Sequence, residues 1–248
     1  MKKVVFVSIN IKMFVEKNIT RDLENFTNHS FITKFLHNNK YVLLNKLINQ
    51  NFQNEFTVLD IGSGLSEFYR KFNHLYKFDY LAIEKNKTFY DICNKKLSLN
   101  KNYKIISADI EEIIDKLNGR DLILCLDILE HVNFKLREKI IKKIAKLNFQ
   151  KFFINVPNEF GPAIFIKNFG SKLINYNRDF EYTVKETIYA TFYRFDKLPP
   201  HTNKHKNFYW KDLFVLLKKH FYVEIQTNLN NLLPNHFSPT ISFICSKK

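Results

Sequence analysis

The sequence predicts an α/β fold, a seven-stranded and mostly parallel sheet with helices on both faces. Three observations carry that prediction. From Thr57 to Val156 short apolar runs alternate with stretches of helical periodicity. Gly62 and Gly64 fall where the first of those runs turns into a helix. Acidic residues then recur where later runs end, as Glu84, Asp109 and Asp127. Parallel strands joined by helices gather such ends along one edge of the sheet, where open α/β sheets bind their ligands.

Each element has its own justification. Apolar residues at helical spacing around Ser30 to Leu36, with Ser30 as an N-cap, and again around Val42 to Ile48, predict helices packed on the core. Thr57 to Ile61 reads as a buried strand and Tyr80 to Ile83 as a second, followed by a helix with Phe89, Ile92, Cys93 and Leu97 on one side. Tyr103 to Ser107 is a third strand, leading into Asp109 and a short helix from Glu111 to Leu117. Asp121 to Leu126 is the fourth, and the helix beyond it buries Leu136, Ile140, Ile141, Ile144 and Leu147. Lys151 to Val156 is the fifth, closed by Pro157. From Gly161 to about Lys206 regularity weakens, aromatic residues accumulate and Pro199-Pro200-His201 ends the stretch. It is too long and apolar for an idle loop, and reads as a partly helical lid or substrate-binding insertion. A helix at Trp210 to His220 and strands at Val223 to Thr227 and Thr240 to Cys245 complete the sheet. The expected organisation is an N-terminal extension, 1–55, packing on one domain, 56–248, with the insertion at about 161–206.

Composition narrows the class. In 248 residues, 26 Phe and 12 Tyr within a 45% hydrophobic total build a full core, which excludes disorder for the chain as a whole. No apolar run reaches the length of a membrane-spanning helix. Met1-Lys2-Lys3 and the apolar stretch to Val15 imitate a signal peptide, but Lys12 interrupts it and no small-residue cleavage site follows, so a strand or terminal helix is expected there. Cys93, Cys125 and Cys245 are odd in number and widely spaced, which suits buried thiols in a reducing cytoplasm. The formal charge of +15 raises a nucleic-acid partner. Against it, Lys is crowded in together with Asn, Ile and Phe as in a compositional drift, and no dense Lys/Arg block marks a patch.

At the glycine turn the spacing decides between cofactors. A dinucleotide fingerprint would place a third glycine at position 67, where Glu67 is large and acidic. The spacing Asp60, Gly62, Gly64 with Ser66 as a small last residue instead resembles the first motif of the class I S-adenosylmethionine-dependent methyltransferases. Asp127-Ile-Leu-Glu130-His131-Val132 with Val156-Pro157-Asn158 is similar to their small-molecule branch. The resemblance covers residues 55 to 160 well and 205 to 248 loosely. It implies a Rossmann-like class I methyltransferase fold and S-adenosyl-L-methionine as cofactor, held by Asp60, Gly62, Ser63, Gly64 and Ser66 at the turn. Glu84 is expected to accept from the ribose hydroxyls, Asp109 from the adenine amino group, Ile110 to pack on that ring, and Asp127 to close the site. Ser66 in place of glycine is expected to narrow the cleft slightly.

Transfer of a methyl group from a sulfonium is an in-line displacement that needs placement more than covalent chemistry. A hydroxyl acceptor must also lose a proton, for which His131 is the first candidate base and His205 the second. The expected acceptor is the oxygen of a small or carrier-linked molecule, with nucleic acid the less favoured partner. An alternative stays open. Asp127, Glu130 and His131 stand at i, i+3 and i+4, so one helical turn can aim all three at a point with His201 or His205, similar to the Glu-x-x-Glu-His of metal-dependent methyltransferases acting on RNA ribose. A further alternative is a cofactor-binding partner subunit without catalysis.

Overall fold

A computed structural model describes residues 31–173, 182–201, 206–227 and 234–248. The chain divides into two compact units, Met1–Asn39 and Lys40–Lys248. Of the first, only the start of helix α1 (Phe31–Asn51) is described. The expected N-terminal strand or helix and the Ser30 cap lie outside the described residues. The two helices expected before the glycine turn are one continuous helix, because nothing between Leu36 and Val42 breaks it: His37-Asn38-Asn39-Lys40-Tyr41 contains neither Gly nor Pro.

The second unit holds the sheet. Its parallel strands are β1 (Phe56–Ile61), β2 (Phe78–Glu84), β3 (Tyr103–Ser107), β4 (Leu122–Leu126) and β5 (Lys151–Pro157). Strands β6 (Phe221–Thr227) and β7 (Thr240–Lys247) add an antiparallel edge, and the spatial order is β3-β2-β1-β4-β5-β7-β6. This is the seven-stranded, mostly parallel sheet that the alternation of runs predicts.

The central strands β1, β4 and β5 are buried on both faces, which is why they read as mainly apolar runs, while the edge strands β3 and β6 are partly exposed. On one face Leu59, Ile61, Ile123, Cys125, Phe152 and Ile154 pack with α5 (Phe134–Lys146) and α8 (Trp210–His220). On the other Val58, Tyr80, Ala82, Leu122, Leu124 and Phe153 meet Tyr41, Leu44, Leu47 and Ile48 of α1, together with α2 (Glu67–Phe72) and Cys93 of α3 (Lys87–Leu97). Each such side chain contributes about 1.5–3 kcal/mol by leaving water. The chain winds outward from β1 to β3 and then returns to β4 on the opposite side of β1. A crevice therefore opens between the carboxyl ends of β1 and β4.

Between β5 and α8 lie α6 (Pro162–Leu173) and α7 (Val184–Thr191), the latter closed at its start by a reciprocal capping box between Thr183 and Glu186. In this stretch Phe160, Tyr193, Phe195 and Tyr209 form one cluster, with centroid separations of 4.7 to 6.4 Å. Phe165 and Phe169 pair 4.3 Å apart on its exposed side.

Candidate functional site

The β1 strand releases the chain into a turn that passes through three left-handed residues, Gly62 at φ 69°, Gly64 at φ 54° and Ser66 at φ 52°. The two glycines serve different ends. A Cβ at Gly62 would collide with the side chain of Ile128 in the β4 loop, so this glycine lets two strand tips close on each other. A Cβ at Gly64 would meet nothing within 4 Å, so that glycine faces open space. Ser66 adopts the angle a glycine would, and its hydroxyl pairs with the Tyr103 hydroxyl at 2.8 Å in the core. It is fully buried, so the expected narrowing of the cleft does not occur.

Glu84 ends β2 beside this turn. Its carboxylate accepts from the Gly64 N–H at 2.7 Å and from the Asn86 N–H at 2.6 Å. Two backbone donors fix the group, one on each oxygen, and each oxygen keeps a further lone pair. Asp60, in β1 just before the turn, is buried: one oxygen accepts from the Tyr80 hydroxyl at 2.5 Å and Oδ1 has no hydrogen-bond partner among the described residues. Burial pushes its carboxyl up to about 7, the Tyr80 hydrogen bond opposing that rise. The Ser63 hydroxyl is likewise buried without a partner among the described residues. Buried polar groups of this kind call for a further partner, such as a proton, a water or a polar group of a ligand.

Asp109 caps helix α4 (Ile110–Ile113), accepting from the Glu111 N–H at 3.1 Å, and pairs with Lys85 at 2.5 Å. The Lys85 hydrogen bond, then the backbone one, hold it below the usual carboxylate range. Ile110 is packed in the core with Ile83 and Ile61.

The β4 tip departs most from expectation. Asp127 sits at φ 57°, so the chain does not enter a helix there; Leu129–His131 form a 3₁₀ turn and α5 starts only at Phe134, capped by Asn133. The i, i+3, i+4 spacing therefore does not aim Asp127, Glu130 and His131 at one point from a single helical turn. Glu130 is fully buried, pushed well above the ordinary carboxylate range by burial first and by the charge of Asp127 second. The His131 side chain is 42% exposed. Asp127 receives Lys40 Nζ at 2.5 Å on one oxygen and Asn155 Nδ2 at 2.6 Å on the other, and Ser242 in turn donates to Asn155 at 2.9 Å. His205 lies outside the described residues, and among those described no three His, Cys, Asp or Glu side chains are grouped to hold a metal ion. His201 stands beside Arg137, 3.5 Å from its guanidinium, with burial lowering its pKa.

Three further residues shape the site without having been expected from the sequence. Arg137, buried in α5, donates to the carbonyls of Leu129 at 2.8 Å and Val132 at 3.0 Å and lies 4.9 Å from the Phe208 ring, so it clamps the 3₁₀ turn. A single Arg in a helix otherwise rich in Lys was the available signal. Asn155 is the lone polar residue in the apolar run Phe152 to Val156, also a readable signal. Lys40 carried none.

The profile of a family described as ribosomal RNA adenine dimethylase matches residues 24–178. An uncharacterized protein of Methanocaldococcus jannaschii is 30% identical over 155 residues, 60% of this chain and 61% of that one. The chain thus spans about three fifths of the length of this curated relative. Among solved structures, the methyltransferase domain of a bacterial Hen1 superposes with a TM-score of 0.58 at 14% identity, over 85% of this chain and 99% of that one. Magnesium protoporphyrin IX methyltransferase from Synechocystis PCC 6803, with bound SAH, gives 0.56 at 14% identity, over 94% and 100%. At such identities these structures show a shared fold.

Proposed function

The chain belongs to the ribosomal RNA adenine dimethylase family and is an S-adenosylmethionine-dependent methyltransferase, and from that premise we propose that it methylates an exocyclic amino nitrogen of an RNA base. S-adenosylmethionine supplies an electrophilic methyl group on a sulfonium. The residues at the β1 and β2 tips fit it: Glu84 has lone pairs left for ribose hydroxyls, Asp60 Oδ1 and Ser63 offer unsatisfied polar groups, and Gly64 leaves the space open. In this reading Asp109 and Ile110 flank the adenine, and Ser66 supports the turn from behind.

The observation that carries the choice of acceptor is the state of Asp127. The Lys40 ammonium donates to one oxygen and the Asn155 amide to the other, so the carboxylate of Asp127 is placed as an acceptor of hydrogen bonds. Its side chain is 34% exposed, enough to accept an N–H of an incoming amine and direct the nitrogen lone pair at the methyl group. A nucleotide also has a place to rest. A cavity of about 470 Å³ lies where α4 and α5 begin, lined by Lys135, Lys139, Asn133, Leu136, the exposed ring of Phe134 and one acidic residue, Glu111. Neither lysine has an ion-pair partner among the described residues, and cations beside an aromatic face suit a phosphate and its base.

A second reading, methylation of a hydroxyl on a small or carrier-linked molecule, is favoured by the exposed imidazole of His131 at the same tip, a candidate general base. Labelling of total RNA with isotopic donor, followed by nucleoside mass spectrometry, separates the two. Methylated adenosine is the expected product; label confined to small-molecule extracts, and lost in His131→Ala, would establish the second reading instead. Placement of the ribose is tested by calorimetry with Glu84→Ala, expected to bind the donor at least about tenfold more weakly through loss of charged hydrogen bonds.

A further inference from the structure

Lys40 is a buried cation at the carboxyl edge of the sheet that cofactor binding leaves unexplained. We propose that Lys40 is a positioning residue for methyl transfer, its ammonium delivered by α1 to fix the Asp127 carboxylate against Asn155 and so preset the oxygen that receives the acceptor's N–H. The inference rests on the reading of Asp127 given above.

The geometry is unusual for a stabilising ion pair. The Lys40 side chain is 7% exposed and meets a residue 87 positions away. Taking the Lys40 ammonium out of water costs free energy that pairing with a half-buried carboxylate seldom repays beyond what an apolar residue would give, so fold maintenance is a poor reason to place a lysine there. Asp127 also holds a positive φ, which Asp tolerates better than most non-glycine residues but at some cost, and here the surrounding structure holds it. That hold is visible: the Asp127 N–H donates to the Asn155 carbonyl at 2.9 Å, Asn155 Nδ2 and Lys40 Nζ each take one carboxylate oxygen, and Ser242 of β7 locks Asn155. The stem of Lys40 is set by its neighbours, since Tyr41, Leu44, Leu47 and Ile48 are buried in the core. Both oxygens of Asp127 are thus anchored by the protein while a third of the side chain still faces the open side of the tip.

The test uses Lys40→Met, Lys40→Arg and Asp127→Asn in the full chain. Lys40→Met should lower kcat about 100-fold while donor affinity stays within about twofold, because misplacement by an ångström is costly to rate and not to cofactor binding. Lys40→Arg should recover at least a third of the lost rate, and Lys40→Met should add less than about twofold to Asp127→Asn. Equal loss of kcat and donor affinity, or full additivity with Asp127→Asn, would overturn the proposal. The side-chain amide resonance of Asn155 gives a readout that needs no acceptor: it should move in Lys40→Met, or in Lys40→Gln where Met does not fold, and stay in Lys40→Arg. An unmoved resonance sinks the role of Lys40, whereas failure of the RNA reading shows separately, as wild-type protein that labels no RNA.

Discussion

At the residue scale, the two glycines of the β1 turn separate packing from ligand space. Gly62→Ala forces a Cβ into Ile128 at a positive φ and should cost about 2–4 kcal/mol in denaturant unfolding. Gly64→Ala meets no atom, so it should cost only about 1–2 kcal/mol of backbone strain, with donor affinity falling instead. Asp60 makes a pH prediction. Its folded pKa is raised from 3.8 to about 7, so between about pH 4 and 7 the folded protein keeps a proton that the unfolded chain has lost. Stability should therefore fall as pH rises through that window and level off above it. Denaturation midpoints measured from pH 4 to 8 should show a shallower slope in Asp60→Asn than in the wild type.

At the element scale, the 3₁₀ turn Leu129–His131 is the piece that decides which side chains reach the β4 tip, and it is clamped by a guanidinium. Arg137 makes two carbonyl hydrogen bonds from a fixed fork while stacking on Phe208, a combination that lysine cannot reproduce. Arg137→Lys should accelerate hydrogen exchange of the Leu129 to Val132 amides by at least about tenfold, with the core of β4 still protected. The same element explains a failure of pattern reading. Spacing of i, i+3 and i+4 implies a shared helical face only where the backbone is helical, and Asp127 at φ 57° is not. Strands, by contrast, were legible to within two residues at each end, because burial leaves each central parallel strand as a mainly apolar run ending near a polar tip.

At the scale of the whole molecule, the sheet order places the glycine turn and the Asp127 turn at adjacent tips on either side of the switch from β1 to β4. The acceptor then approaches a chain of net charge +15. Of the lysines on α5, Lys142 and Lys143 are paired with Glu138 and Asp115, while Lys135 and Lys139 border the cavity where α4 and α5 begin. Replacing both with Glu should lower RNA labelling about tenfold or more and flatten its dependence on salt, with donor affinity unchanged. Salt-independent labelling in the wild type would remove the electrostatic part of this reading.

The sequence by itself determined the succession of strands and helices, the glycine turn, the acidic tips and the class of cofactor, since these depend on local periodicity and on residue types at fixed offsets. Only the tertiary structure decided that Ser66 turns into the core, that Phe160 joins Tyr193 and Tyr209 in one ring cluster, and that Lys40 and Asn155, the latter held by Ser242, meet at Asp127. Those pairings join residues dozens of positions apart on separate elements, and a charge or an amide acquires such a role only when folding removes it from water and puts one partner within reach.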